Sequence, residues 1–327
     1  MAIQRREMIA RAAAACAVAT LQPWQAASAQ SAWPSRTVKF VNMGPPGTAP
    51  DTYNRIYAEK LSKTLNVPVI IENRPGVAGN IASDVVAKAP SDGYTLLYTV
   101  SSSFTVNPWI YSRLSYDPEK DFRPVSPLLS QGAFIVANND MPFKTVKQLV
   151  DYATAHPGDL AYGTNGVGSF LHLIMELFNQ SAQVQMLHVP YKGPPMVDVV
   201  SGQIPLCVEP AASAIPMINA GKVRAIAYSG ARRHSQLPNV PTIAETYPAV
   251  AVAGWHGVWA PAGVPTEVVQ KLNVEITRIT QMPEVQKLVA DLGSEPMSAS
   301  VDAMTAMIRQ EKRMWGDLVK AKKITVD

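Results

Sequence analysis

Two hydrophobic periods alternate along the chain from Ser35 onward. "TVKFV" reads as a short strand, and Tyr53, Ile56, Tyr57 and Leu61 then recur at helical spacing within "DTYNRIYAEKLSKTL". "VPVIIEN" is a second strand, "RPGVAGN" a turn, "IASDVVAKA" a helix and "DGYTLLYTV" a third strand. A second series starts at "GAFIVAN" and runs through "TVKQLVDYATAH", "DLAYGTN", "FLHLIMELFNQ", "VQMLHVPY", "PPMVDVVSG", "IPLCVEP", "AIPMINAG" and "VRAIAYSG". After "GWHGVWAPAG" come two amphipathic helices, "PTEVVQKLNVEITRIT" and "VDAMTAMIRQEKRMWGDLVKA". Strands alternating with helices across short connections predict an α/β fold, with parallel sheets covered by helices.

Two strand-to-helix turns stand out. In the first, "NMGPPGTAPD", Pro46 and Gly47 make a stiff turn, and Thr48 with Asp51 three residues on predicts a capping box. In the second, "LAYGTNGVGSFLHLIMELF", Thr164, Asn165, Gly166 and Gly168 precede Ser169, a credible N-cap. Helix starts of this kind present unpaired N–H groups and a partial positive charge, so each is a candidate anion site. Neither turn contains Lys or Arg. The spacing G-x-x-G-x-G is not that of a dinucleotide fingerprint, and no G-K-[ST] follows for a P-loop. In open α/β sheets, ligands sit beyond the carboxyl ends of strands. A pair of such loops facing across a cleft would grip both ends of a small anion.

The first residues alter the count of charges. Arg5, Arg6 and Arg11, the apolar run "AAAACAVATL" and Ala27-Ser28-Ala29 predict a secretory signal peptide over residues 1–29. Its paired arginines fit either a Sec or a twin-arginine export route. Without Arg5, Arg6, Arg11 and Glu7 the chain keeps 26 of 29 Lys+Arg and 24 of 25 Asp+Glu. That balance gives no broad basic footprint for nucleic acid or an anionic membrane. Cys207 is then the single cysteine and reads as a buried thiol. No later stretch has the ~18 apolar residues of a membrane span.

A search for chemistry returns no H-E-x-x-H, G-x-S-x-G or paired-cysteine metal spacing. His172, on the first turn of the second loop's helix, either donates to a ligand or caps and packs. His188 reads as a core histidine, and Glu209 as a pocket residue or a rim carboxylate. Trp255 and His256 are candidates for the mouth of a site, and Trp259 for the mouth or the core.

The segments "ENRPGVAGNIASDVVAKAPSDGYTLL", "NPWIYSRLSYDPEKDFRPVS", "VPYKGPPMVDVVSGQIP" and "WAPAGVPTEVVQKLN" carry a resemblance that extends from Trp33-Pro34 to the last helix. The chain resembles the periplasmic solute-binding proteins of tripartite tricarboxylate transporters, the Bug family. The resemblance implies a type II periplasmic-binding-protein fold, with two lobes joined by crossover strands. Lobe one would comprise 31–133 plus 254–327, and lobe two 134–253. It implies a binding protein without enzymatic activity, cofactor or metal, monomeric and periplasmic. Such a protein captures a small carboxylate and hands it to membrane permease subunits. It puts Pro46, Gly47, Thr48 and Asp51 in one ligand loop, and Thr164, Asn165, Gly168, Ser169 and His172 in the other, with Glu209 toward the distal end of the ligand. Family members usually read P-P-G-G in the first loop; here Thr48 replaces the second Gly. Phe104 and Phe170 add aromatic surface, which suits an aromatic carboxylate such as terephthalate, or a linear dicarboxylate. Two rivals remain: a sensory subunit for a receptor kinase, and a secreted hydrolase or lyase using His172 and Glu209.

Overall fold

A computed structural model describes residues 33–326; the expected signal peptide lies outside the described residues. Eleven strands form two sheets among the described residues. In chain order they are β1 (Val38–Asn42), β2 (Val69–Asn73), β3 (Thr95–Val100), β4 (Phe122–Gln131), β5 (Ala133–Ala137), β6 (Ala161–Thr164), β7 (Leu187–Pro190), β8 (Leu206–Pro210), β9 (Arg224–Tyr228), β10 (Gly254–Pro261) and β11 (Glu295–Pro296). The first sheet has the order β11-β4-β10-β3-β1-β2 and the second β7-β6-β8-β5-β9. The chain passes between them twice, at Gly132 and again before Gly254.

The βαβ units read from the periodicity are parallel, β1 with β2 and β3, and β6 with β7 and β8. The sheets as wholes are mixed. β10 runs antiparallel to β3 and β4, and β5 antiparallel to β8 and β9. β4, β11, the short helices at Ser102–Thr105 and Asn107–Ile110, and the helix Pro283–Asp291 are additions to the sequence reading.

The helix Ala49–Leu65 buries Tyr53, Tyr57 and Leu61 on one face. Both tyrosine hydroxyls reach partners inside, Tyr53 the Leu292 carbonyl and Tyr57 the Leu128 carbonyl, so the rings bury without stranding a polar group. The C-terminal helix Val301–Lys322 serves two cores. Met304 packs with Val41, Phe104, Trp255 and Trp259 of the first sheet's core. Trp315, Leu318 and Val319 pack with Ile135, Leu173, Ile174 and Phe178 of the second. No described helix is long and apolar enough to cross a membrane.

Candidate functional site

The second loop joins β6 to the helix Phe170–Ala182. Gly166 and Gly168 have φ of 123° and 72°, which a side chain would strain. The Gly168 N–H donates to Nδ1 of His172 at 3.1 Å, and Ser169 Oγ accepts from the His172 N–H at 3.2 Å. The Ser169 cap expected from sequence is therefore present. Beneath the loop, the His172 ring stacks on His188 with centroids 3.8 Å apart. His188 Nε2 meets Thr164 Oγ1 at 2.7 Å. Glu176 accepts from the Tyr162 hydroxyl at 2.7 Å and pairs with Lys322 at 3.1 Å. Thr164 and His172 thus lie buried behind the loop and set its shape; of the two roles open to His172, the geometry fits capping and packing.

Burial, the largest cause, lowers the pKa of both histidines, and His188 falls to about 4. The folded protein then binds fewer protons at these rings than the unfolded chain. Stability from this pair is complete above pH 6.5 and is lost as the pH falls toward 4. Between pH 7.5 and pH 5 this pair should pull the urea midpoint down, against the opposite pull of carboxyls whose pKa burial raises, and His188→Asn should remove its share of that fall. An unchanged slope in the variant would refute the assignment.

The first loop is built differently from the expectation. Thr48 makes no side-chain cap; its hydroxyl donates to the Pro45 carbonyl at 2.7 Å. Pro50 occupies the first turn, and Asp51 turns back to accept from the Gly47 N–H at 2.9 Å. Asp51 also accepts from Asn73 at 2.8 Å and from Arg55 at 2.8 and 3.1 Å. Burial raises its pKa, but the hydrogen bonds from Arg55, Asn73 and Gly47 outweigh it and hold Asp51 at about 2. With both oxygens engaged, Asp51 is the hub of the loop rather than a free contact. Pro46 and Gly47 are exposed, and Thr48 is half-buried.

The cleft has two chambers, of about 240 and 340 Å³. Val100, Ser102, Asn165 and Phe170 line both. The smaller is completed by Gln131, Leu171, Pro210, Trp255 and His256, and the larger by Met43, Ala78, Asn107, Gly168 and Ser169. Among the described residues, no Lys, Arg, Asp or Glu lines either chamber. His256 bonds to Tyr98 at 2.9 Å, and burial lowers its pKa to about 4, so it is neutral here.

The cleft thus brings together Asn165, Gly168, Ser169 and Phe170 of the expected residues, while Pro46, Gly47, Thr48 and Asp51 stand outside its lining. Phe104 is a correction. Only 1% exposed, it stacks on Trp259 at 4.5 Å and meets Phe122 edge-on at 5.1 Å, on the far side of the short helix whose Ser102 faces the cleft. Glu209 is also outside the lining. One of its oxygens accepts from Ser213 at 2.8 Å, the other has no partner among the described residues, and burial raises its pKa. Cys207 is buried, and burial pushes its thiol up.

Sequence reading missed the turn before the helix Asn80–Ala87 as a wall of the cleft. Gly76, Val77, Ala78 and Gly79 all have positive φ, at 126°, 47°, 50° and 89°. For Val77 and Ala78 that conformation costs of order 1–3 kcal/mol each. Ser103 and Asn107 hold it by donating to the Ala78 carbonyl at 3.2 and 3.1 Å. The only sequence signal was the pair of glycines around it.

The family described as tripartite tricarboxylate transporter family receptor matches residues 53–324. A protein of Pseudomonas sp. strain P51, the UPF0065 protein in the tcbD-tcbE intergenic region, is 35% identical over 97% of this chain and 94% of its own. Among solved structures, R. palustris Rpa4515 with adipate is 32% identical with a TM-score of 0.77, over 90% of this chain and 100% of that one. MatC from Rhodopseudomonas palustris with bound malate is 30% identical with a TM-score of 0.72, over 88% of this chain and 100% of that one.

Proposed function

This chain belongs to the tripartite tricarboxylate transporter receptor family of solute-binding proteins, and from that premise we propose that it captures a small carboxylate in the periplasm for a tripartite tricarboxylate-type permease. The observation that carries the reading is a cleft with no charged side chain among the described residues that line it, ending on the capped N-terminus of a 13-residue helix. Backbone N–H groups, the hydroxyls of Ser102 and Ser169, and the Asn165 amide would meet the anion. Phe170, Leu171, Val100 and Trp255 offer an apolar wall to the rest of the molecule. That combination favours a dicarboxylate with an apolar middle, or an aromatic carboxylate. The relative holding adipate is in keeping with the first, and the one holding malate with a dicarboxylate more generally. The protein would act as a monomer, its lobes (31–133 plus 254–327, and 134–253) closing on the solute and excluding water.

Turnover by His172 and Glu209 is disfavoured, because Nδ1 of His172 is taken by the loop and Glu209 lies outside the cleft lining.

A thermal-shift panel of mono-, di-, tri- and aromatic carboxylates tests the reading. A ligand at 100 times its Kd should add about 2.7 kcal/mol of stability. Ser169→Ala should cost about 0.5–2 kcal/mol of stability through the lost cap. It should also weaken binding by roughly 10-fold or more, the value of one charge-assisted hydrogen bond. Calorimetry showing unchanged affinity in that variant would rule out the helix end as the anchor.

A further inference from the structure

Trp255 has two sides. The residue lines the smaller cleft chamber, and it also lines a separate cavity of about 260 Å³. Two contacts orient the indole. It stacks on Trp259 with centroids 5.5 Å apart, and its Nε1–H donates to Oε1 of Glu311 at 2.7 Å. Glu311 projects from the C-terminal helix Val301–Lys322 and is partly buried. Met297, Met307, Met314 and Trp315 line the separate cavity with it, and no other ionisable side chain does among the described residues.

The neighbouring charges are engaged elsewhere. Lys312, next on the helix, pairs with Glu119 at 2.6 Å. Arg309 is exposed. From the Ser102–Thr105 helix the group facing Glu311 is the Thr105 hydroxyl, and from β10 it is the Trp255 indole. His256, the next residue of β10, is turned to Tyr98.

We propose that Glu311 is the positioning residue for Trp255, and that its gain or loss of a proton changes the grip of the cleft on an anionic solute. An ionised Glu311 and an anion in the cleft would lie on either side of Trp255 in a partly buried setting, where like charges repel. A proton on Glu311 removes that repulsion and leaves a carbonyl oxygen to accept from Nε1–H. Burial, against the hydrogen bonds from Trp255 and Thr105, pushes the Glu311 carboxyl up to about 7, so the change falls near neutral pH. Binding should therefore tighten as the pH falls from 8 to 6. The anionic charge of the solute comes from the proposed function above; the positioning role does not depend on it.

The test has two readouts. In the protein alone, the indole N–H resonance of Trp255, assigned by its loss in Trp255→Phe, should move with pH around a midpoint near neutrality. In Glu311→Gln, which keeps an acceptor and loses the titration, it should stay still. With terephthalate as probe, affinity should be several-fold higher at pH 6 than at pH 8 in the natural protein, and nearly level in Glu311→Gln. An indole signal that ignores pH, or a variant that keeps the natural pH dependence, overturns the proposal. The indole titration decides it even if terephthalate does not bind, whereas failure of the whole carboxylate panel would count against the proposed function alone.

Discussion

Replacing Gly132 with alanine is expected to lower stability by about 3 kcal/mol, combining overpacking with a strained hydrogen bond. Gly132 sits where the chain leaves β4 for β5 and crosses between the sheets. A Cβ there would overlap the Tyr228 ring and hydroxyl. The Gly132 N–H also donates to the Tyr228 hydroxyl at 3.0 Å. Tyr228 has no room to withdraw: it is 3% exposed, packed on Phe134 and His234, and pressed against Gly230 on another side. At roughly 2–4 °C per kcal/mol, the melting temperature should fall by about 6–12 °C. Because Gly132 also lines the smaller chamber, affinity for any solute should fall with it. A variant that melts within a degree of the natural protein would mean that the crossover yields easily and that the contact with Tyr228 is not a constraint.

Phe104→Ala should be as damaging to stability and harmless to binding. Removing a buried phenylalanine costs about 3–5 kcal/mol, and Phe104 has more than its area at stake. It stacks on Trp259 and stands edge-on to Phe122, arrangements worth about 0.5–1.5 kcal/mol beyond burial. The ring faces away from the cleft, so affinity measured well below the melting temperature should change by less than about twofold, a difference under 0.5 kcal/mol. Chemical denaturation and calorimetry on one preparation would separate the two effects. A large loss of affinity with stability intact would restore Phe104 to the ligand site.

The contrast between Phe104 and Phe170 shows how far the sequence could be read. Both lie near a helix start beside the cleft, and both looked like aromatic surface for a ligand. Which side of a one-turn helix faces the cleft depends on the sheet behind it, and that sheet is assembled from β10 and β4, distant in sequence. β4 itself escaped notice because Pro124 and Pro127 interrupt its pattern. Its ladder with β10 accommodates them at two register shifts, where a missing N–H is tolerated. The second loop was legible because its signals are local: positive-φ glycines, then a serine cap bonded three residues on. The first loop misled because a buried carboxylate near a helix start reads alike whether it meets a ligand or closes its own turn. Only the positions of Asn73 and Arg55 decide that. Likewise, four left-handed residues in a row at Gly76–Gly79 include two that no propensity would place there.

The last helix has a bearing on how the molecule comes apart. One end of it is a member of one core and the other end a member of the second, with Lys322 tied to Glu176. Neither half can melt while leaving its neighbour's interior sealed. Heat or urea should therefore register one transition, followed alike by tryptophan emission and by backbone signals, where two independently folding halves would register a pair.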